Sequence, residues 1–195
     1  FNEQPGNQIA GIDASLKFLP QKNLKLFIQY IGEDGLDPII DDRWVGAIFP
    51  SKRFGLGGIE YHSTFSQKPW SLSIEHINTD TGYKNVTYNH GLYKSGYRYK
   101  GYPIGSSEDT DSHRSLVSYK EYSDKAYFEL TYQKSNINQN LSPMTRWGTD
   151  NITNEEIIFK LGKDFKRSSL EFVIIKRILN VNSFNSNIAF FKFEQ

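Results

Sequence analysis

The stretch YNHGLYKSGYRYKGYPIGSSEDTDS, Tyr88 to Ser112, concentrates the side chains best suited to recognition chemistry. Tyr88, Tyr93, Tyr97, Tyr99 and Tyr102, with Tyr83 just before them, make up six of the 12 tyrosines. A phenol ring offers a flat apolar surface to the C–H face of a sugar and a hydroxyl to its substituents. Asn89, His90, Arg98, Glu108, Asp109 and Asp111 add directional bonds to hydroxyls or carboxylates. One reading is therefore a polysaccharide-contact loop, with Tyr88, Asn89, His90, Tyr93, Tyr97, Arg98, Tyr99, Asp109 and Asp111 as candidate contacts. The same tyrosines also suit an aromatic girdle at a membrane interface or a self-packed loop, with Gly91, Gly96, Gly101 and Gly105 supplying turns.

Other chemistry finds less support. His113 and Ser115 share one face of a strand, but side chains two apart lie about 7 Å from each other, too far for a base to hold its nucleophile. No catalytic residue is assigned, and the chain is read as a non-enzyme. The run Glu108 to Asp111 and the acids between Asp37 and Asp42 lack the glycine and terminal glutamate of a calcium loop, so solvated acidic loops are the simpler reading. The four histidines have no metal spacing, and the absence of cysteine removes thiolate sites and thiol catalysis. No metal or cofactor is expected. With 23 basic against 22 acidic residues there is no strong field to draw nucleic acid.

The elements that must position this loop are strands. Period-2 alternation runs through nine segments, near 10–18, 24–30, 53–63, 70–78, 114–122, 125–133, 155–163, 168–179 and 187–194. Gly57-Gly58 breaks the alternation of the third and predicts a bulge. The pattern in 114–122 is weak, and Phe172 to Ile175 is apolar on both faces, which predicts an inner face covered by protein. Aromatic residues are 15% of the chain, a bias toward strands, and no helical period appears. The fold class is all-β.

Connection lengths are the most informative feature. Short turns near 20–23, 64–69, 123–124 and 164–167 alternate with long segments at 33–52, 78–113 and 134–154. No run is long and apolar enough for a spanning helix, so a membrane could be crossed only by a barrel. Short turns on one side and long loops on the other mark an outer-membrane barrel, with the turns in the periplasm. Asp13, Lys17, Lys25, Gln29, Glu60, His62, Glu75, Glu129 and Lys160 would then line the lumen, more as a structural network than a transport path. Phe190, Phe191 and Phe193 make an aromatic terminal strand of the kind read by the barrel assembly machinery. Bacterial barrels have even strand counts, so further N-terminal strands are expected. A soluble β-sandwich is the alternative that alternation alone leaves open.

The loop also carries a resemblance. Tyr88-Asn89-His90-Gly91, Tyr93, Gly96-Tyr97-Arg98-Tyr99, Gly101, Ile104-Gly105, Asp109, Asp111 and Ser112 resemble the Wzi family of capsule assembly proteins in order and spacing. Asn7 to Gly11, Ile31 to Asp34 and Gly55 to Tyr61 support it, so it covers roughly residues 6–133. Ser106 departs from the histidine the family often has there, a departure that bears on any role for a second loop histidine and not on the fold. The resemblance implies a monomeric, lectin-like outer-membrane barrel of about eighteen strands. Its partners would be capsular or exopolysaccharide and outer-membrane lipid, and its role surface attachment of polymer. Residues 1–195 would be its C-terminal half, without the N-terminal strands and a helical segment. A porin-like channel for small solutes is the alternative function, and a barrel-embedded hydrolase a third.

Overall fold

The computed structural model describes residues 9–18, 23–36, 50–65, 67–81, 87–88, 98–100, 102–103, 105–123, 125–141, 150–165, 168–180 and 184–194. Eleven strands lie among them: β1 Ile9–Phe18, β2 Leu24–Leu36, β3 Pro50–Phe65, β4 Lys68–Asn78, β5 Arg98–Tyr99, β6 Tyr102–Pro103, β7 His113–Ser123, β8 Ala126–Ile137, β9 Ile152–Phe165, β10 Ser168–Leu179 and β11 Phe184–Glu194. Nine form one antiparallel meander in the order β1-β2-β3-β4-β7-β8-β9-β10-β11, and β5 and β6 form a separate hairpin. The nine match the alternating segments of the sequence. The β5-β6 hairpin does not show there, because two-residue strands carry no periodicity. Among the described residues no helix is long and apolar enough to cross a membrane, which leaves crossing by strands open.

Register makes the two faces chemically distinct. Ile59 stands opposite Ile74, Ile74 opposite Val117, Tyr119 opposite Leu130, Leu130 opposite Phe159 and Phe159 opposite Ile174. Because strand side chains alternate, these residues form one apolar band across the sheet with Leu72, Phe128, Tyr132, Ile157, Leu161 and Phe172 beside them on the same face. The band is exposed: Ile12 is 70%, Ile74 46%, Leu130 47% and Ile174 40% accessible. In water such a patch is an aggregation hazard, but in hydrocarbon it is the required surface. At the short-turn end it finishes in aromatic rings on β3, β4, β7 and β8. Trp70 lies 5.5 Å from Tyr61 and 5.8 Å from Tyr119, and Tyr119 lies 5.6 Å from Phe128. Rings with one polar edge are favoured at a membrane interface.

The opposite face is polar and cross-linked. Gln29 donates to Asp13 at 2.7 Å, Lys25 pairs with Glu60 at 3.1 Å, and Glu129 lies 3.0 Å from Lys160 and 3.7 Å from Lys120. Apolar residues interrupt it locally, among them Val173, 2% exposed, on the inner side of the doubly apolar stretch of β10.

The bulge expected at Gly57-Gly58 is not there: β3 keeps one register with β4 throughout and with β2 up to Glu33. The alternation changes phase for another reason. Phe54 and Leu56 face inward, where they wall a cavity, while Ile59 and Tyr61 face outward. Gly58 also leaves room that Phe27 occupies, since a Cβ there would meet that ring at 2.4 Å. The one irregularity of the β2-β3 pair falls between Glu33 and Leu36, near the long-loop end.

Candidate functional site in the inward-folded loop

Where β4 ends and β7 begins, Asn78 stands opposite His113, and the described residues between them lie against the inner face. These residues are tied by a knot of backbone and hydroxyl hydrogen bonds. Thr79 N–H donates to the Ser112 carbonyl at 2.8 Å, Gln139 N–H to Asp111 at 2.9 Å, and the Thr87 hydroxyl to the Thr79 carbonyl at 2.7 Å. The Ser112 hydroxyl donates to the Thr110 carbonyl at 2.8 Å, and Asn138 N–H donates to that hydroxyl at 3.2 Å. Thr79, Thr87, Asp109, Thr110, Asp111, Ser112 and Asn138 are consequently at most 1% exposed. Asp109, Asp111 and Asn138 have φ of 73°, 52° and 56°, the left-handed region that aspartate and asparagine tolerate better than most residues.

Two contacts seat this knot on the inner face of the sheet. Tyr88 packs edge-on against inward-facing Phe54, with centroids 5.8 Å apart, and its hydroxyl accepts the Ser106 N–H at 2.9 Å. Gly105 lies against its ring so closely that a Cβ would sit 2.4 Å from the hydroxyl. Burial pushes the Tyr88 hydroxyl above its ordinary pKa, with the Ser106 bond opposing and the nearby Asp109 charge adding to the rise. The second contact is Arg114 on β7, whose guanidinium lies 3.2 Å from Glu75 on β4 and 3.4 Å from Glu108 of the loop, and donates to Ser107 Oγ at 3.2 Å.

Beyond Arg114, Glu156 on β9 is 5% exposed and gathers three donors: Gln133 at 2.5 Å, Asn154 at 3.2 Å and Arg177. The loop leaves a cavity on each side. One of about 760 Å³ is lined by Phe54, Leu56, Glu75, Tyr88 and Arg114. The other, about 380 Å³, lies between Glu108 and the wall formed by Gln133, Asn154, Glu156 and Arg177. Both fall in the size range of small-ligand pockets.

The candidate contacts are distributed unevenly. Tyr88, Asp109 and Asp111 come together in the buried knot. Tyr99 is 67% exposed on the β5-β6 hairpin, with Lys100 Nζ 5.4 Å from its ring centre and Tyr102, 63% exposed, as its cross-strand partner. Arg98 pairs through its backbone with Pro103. Asn89, His90, Tyr93 and Tyr97 lie outside the described residues. The alternation pattern does not single out Arg114, Arg177 or Glu156. Their signal was position: charged residues at the long-loop ends of the strands, on the lumen side.

Ser115 has a histidine neighbour other than the one its spacing offered. His76, directly opposite on β4, places Nδ1 at 2.9 Å from Ser115 Oγ. His113 stacks on His76 at 6.0 Å and lies 3.7 Å from Asp80. These polar groups stand on the outer face just above the apolar band.

No curated protein matches the chain by sequence. Among solved structures it is similar to Wzi of Escherichia coli, an outer membrane protein involved in group 1 capsule assembly and a carbohydrate-binding β-barrel, with a TM-score of 0.76 at 22% identity. The similarity covers 96% of this chain and 41% of that one, so the chain spans less than half of that protein's length. The sequence matches the family described as Capsule assembly protein Wzi over residues 1–182. With one apolar and one polar face to its antiparallel sheet, the chain has the fold of that β-barrel and belongs to the capsule assembly protein Wzi family.

Proposed function

We propose that this barrel acts without catalysis in the assembly and surface attachment of capsular or exopolysaccharide, which it binds at its long-loop end. The observation that carries the proposal is the loop between β4 and β7, folded onto the inner face through Arg114 and Tyr88. A channel for small solutes needs an open lumen, whereas a seated loop supports a closed one with a fixed outer surface. In this reading Tyr88, Asp109 and Asp111 hold the loop's shape. Tyr99, with Asn89, His90, Tyr93, Tyr97 and Arg98, offers rings and hydrogen-bonding groups to polymer. The short turns face the periplasm, and further N-terminal strands and a helical segment complete a monomer inserted by the barrel assembly machinery.

The test is the amount of cell-bound against released polysaccharide in a strain lacking the full-length parent, with complementation by wild type and by Tyr99→Ala. Polymer lost to the medium with synthesis intact, restored by wild type and only partly by Tyr99→Ala, is the expected result. Unchanged retention together with altered small-solute uptake would transfer the role to a porin-like channel.

A further inference from the structure

The smaller cavity, about 380 Å³, has walls of two kinds. Ile137 and Ile152, a buried cross-strand pair, give it an apolar side. Gln133, Asn154, Glu156 and Arg177 give it a side of planar hydrogen-bonding groups, held in place by their bonds to Glu156. An amide, a carboxylate and a guanidinium each offer two coplanar positions, the spacing that vicinal hydroxyls on a ring require. The charges around the cavity balance, Arg114 and Arg177 against Glu108 and Glu156, so no net field favours a phosphate or a free cation.

A second observation lies behind the same wall. Among the described residues, Arg114 Nε, Ser135 Oγ and Asn154 Oδ1 are buried without hydrogen-bond partners. The three residues are consecutive across the sheet, Arg114 opposite Ser135 and Ser135 opposite Asn154. One buried orphan is costly, and three in a row mark unused bonding capacity, a donor and an acceptor on either side of a hydroxyl that can serve as both. Rotation of the Asn154 amide or the Arg114 side chain would turn that capacity toward the cavity.

We infer that this cavity is a saccharide subsite inside the barrel, below the loop, which takes a neutral terminal or branching sugar unit. The inference rests on the polysaccharide reading above and adds a location and a ligand class to it. The volume is near the lower limit for ligand pockets, so it admits a chain end and not a continuous polymer. Glu156 is the positioning residue. Gln133, Asn154 and Arg177 are the ones placed to contact the sugar.

The experiment uses the full-length parent in detergent and oligosaccharides released by partial acid hydrolysis of the producing strain's own surface polymer. Asn154→Leu, close in shape to asparagine, should weaken oligosaccharide binding roughly five- to ten-fold. In parallel, Gln133→Cys adds a thiol to a segment that has no cysteine, and bound oligosaccharide should slow its reaction with a maleimide several-fold. Wild type that binds oligosaccharide, while Asn154→Leu binds equally well and the introduced thiol reacts at an unchanged rate, would overturn the subsite and leave the attachment function standing. Absence of binding by wild type, with polymer retention unaffected by deletion, would overturn both. If Asn154→Leu fails to assemble, the thiol-protection arm decides.

Discussion

Arg114 on β7 and Glu108 in the returning loop lie 3.4 Å apart, and this contact joins the loop to the barrel wall. The same guanidinium reaches Glu75 at 3.2 Å. Both carboxylates are largely shielded, Glu108 at 10% and Glu75 at 28% side-chain exposure. Arg114→Leu would leave two neighbouring carboxylates without their cation, which should cost about 2 kcal/mol, below the value for a fully buried pair because solvent reaches Glu75. The expected result is faster protease cleavage between residues 105 and 112 and higher ion conductance in a planar bilayer. Cleavage and conductance equal to wild type would show that Arg114 does not hold the loop.

Gly162 on β9 and Tyr127 on β8 form a second dependent pair. Tyr127 lies across Gly162, donates its hydroxyl to Glu171 on β10, and carries Lys120 Nζ 4.3 Å from its ring centre. A Cβ on Gly162 would come within 2.1 Å of the ring. Gly162→Ala should therefore dislodge Tyr127 and destabilise the sheet by about 1–3 kcal/mol. The gel-mobility transition of the folded barrel on heating measures it, and Gly162→Ala with Tyr127→Ala should be less destabilised than the sum of the two singles. Strict additivity would mean that the pair is not coupled.

The face assignment has its own test. Leu130 lies in mid-band on the outer face, and Ser118, the cross-strand neighbour of Thr131, lies on the inner one. Leu130→Arg should cost about 2–4 kcal/mol, the depth-dependent penalty for a charge at the bilayer midplane, and should lower the yield of heat-modifiable barrel. Ser118→Arg, facing a polar lumen with Glu129 near Thr131, should assemble close to normally. Equal losses for both would contradict the inside-outside assignment.

Much of this was legible in the sequence, for a physical reason. A sheet with one apolar and one polar face favours period-2 alternation along its strands, so Ala10 to Phe18 or Ala126 to Gln133 announce themselves. The segment 113–123 reads weakly because Leu116 faces inward against Gln133 while Ser115 faces outward above the band, the reverse of the usual pattern. Arg114 was hidden in that segment. The loop is harder still. Asp109 and Asp111 look like solvent-facing or ligand-facing acids, yet both are fully buried with positive φ, because the knot needs residues that accept left-handed backbone and bond locally. Aperiodic, bond-rich loops leave no pattern for sequence reading to follow.

Tyr88 makes the seating of the loop sensitive to alkaline pH. Its hydroxyl is buried and accepts the Ser106 N–H, and burial raises its pKa above the ordinary tyrosine value of about 10. The folded loop thus favours the neutral phenol. Its contribution is complete below the unfolded pKa and is lost as pH rises through the higher folded value, where ionisation would place a charge against Phe54 and beside Asp109. Proteolysis of the loop in wild type should accordingly accelerate above about pH 10. Tyr88→Phe keeps the ring against Gly105 and Phe54 but leaves the Ser106 N–H without its acceptor. It should loosen the loop by about 1 kcal/mol at neutral pH and flatten the alkaline step. Parallel pH profiles of cleavage for wild type and Tyr88→Phe would mean that some other group controls the loop, since only Tyr88 differs between the two.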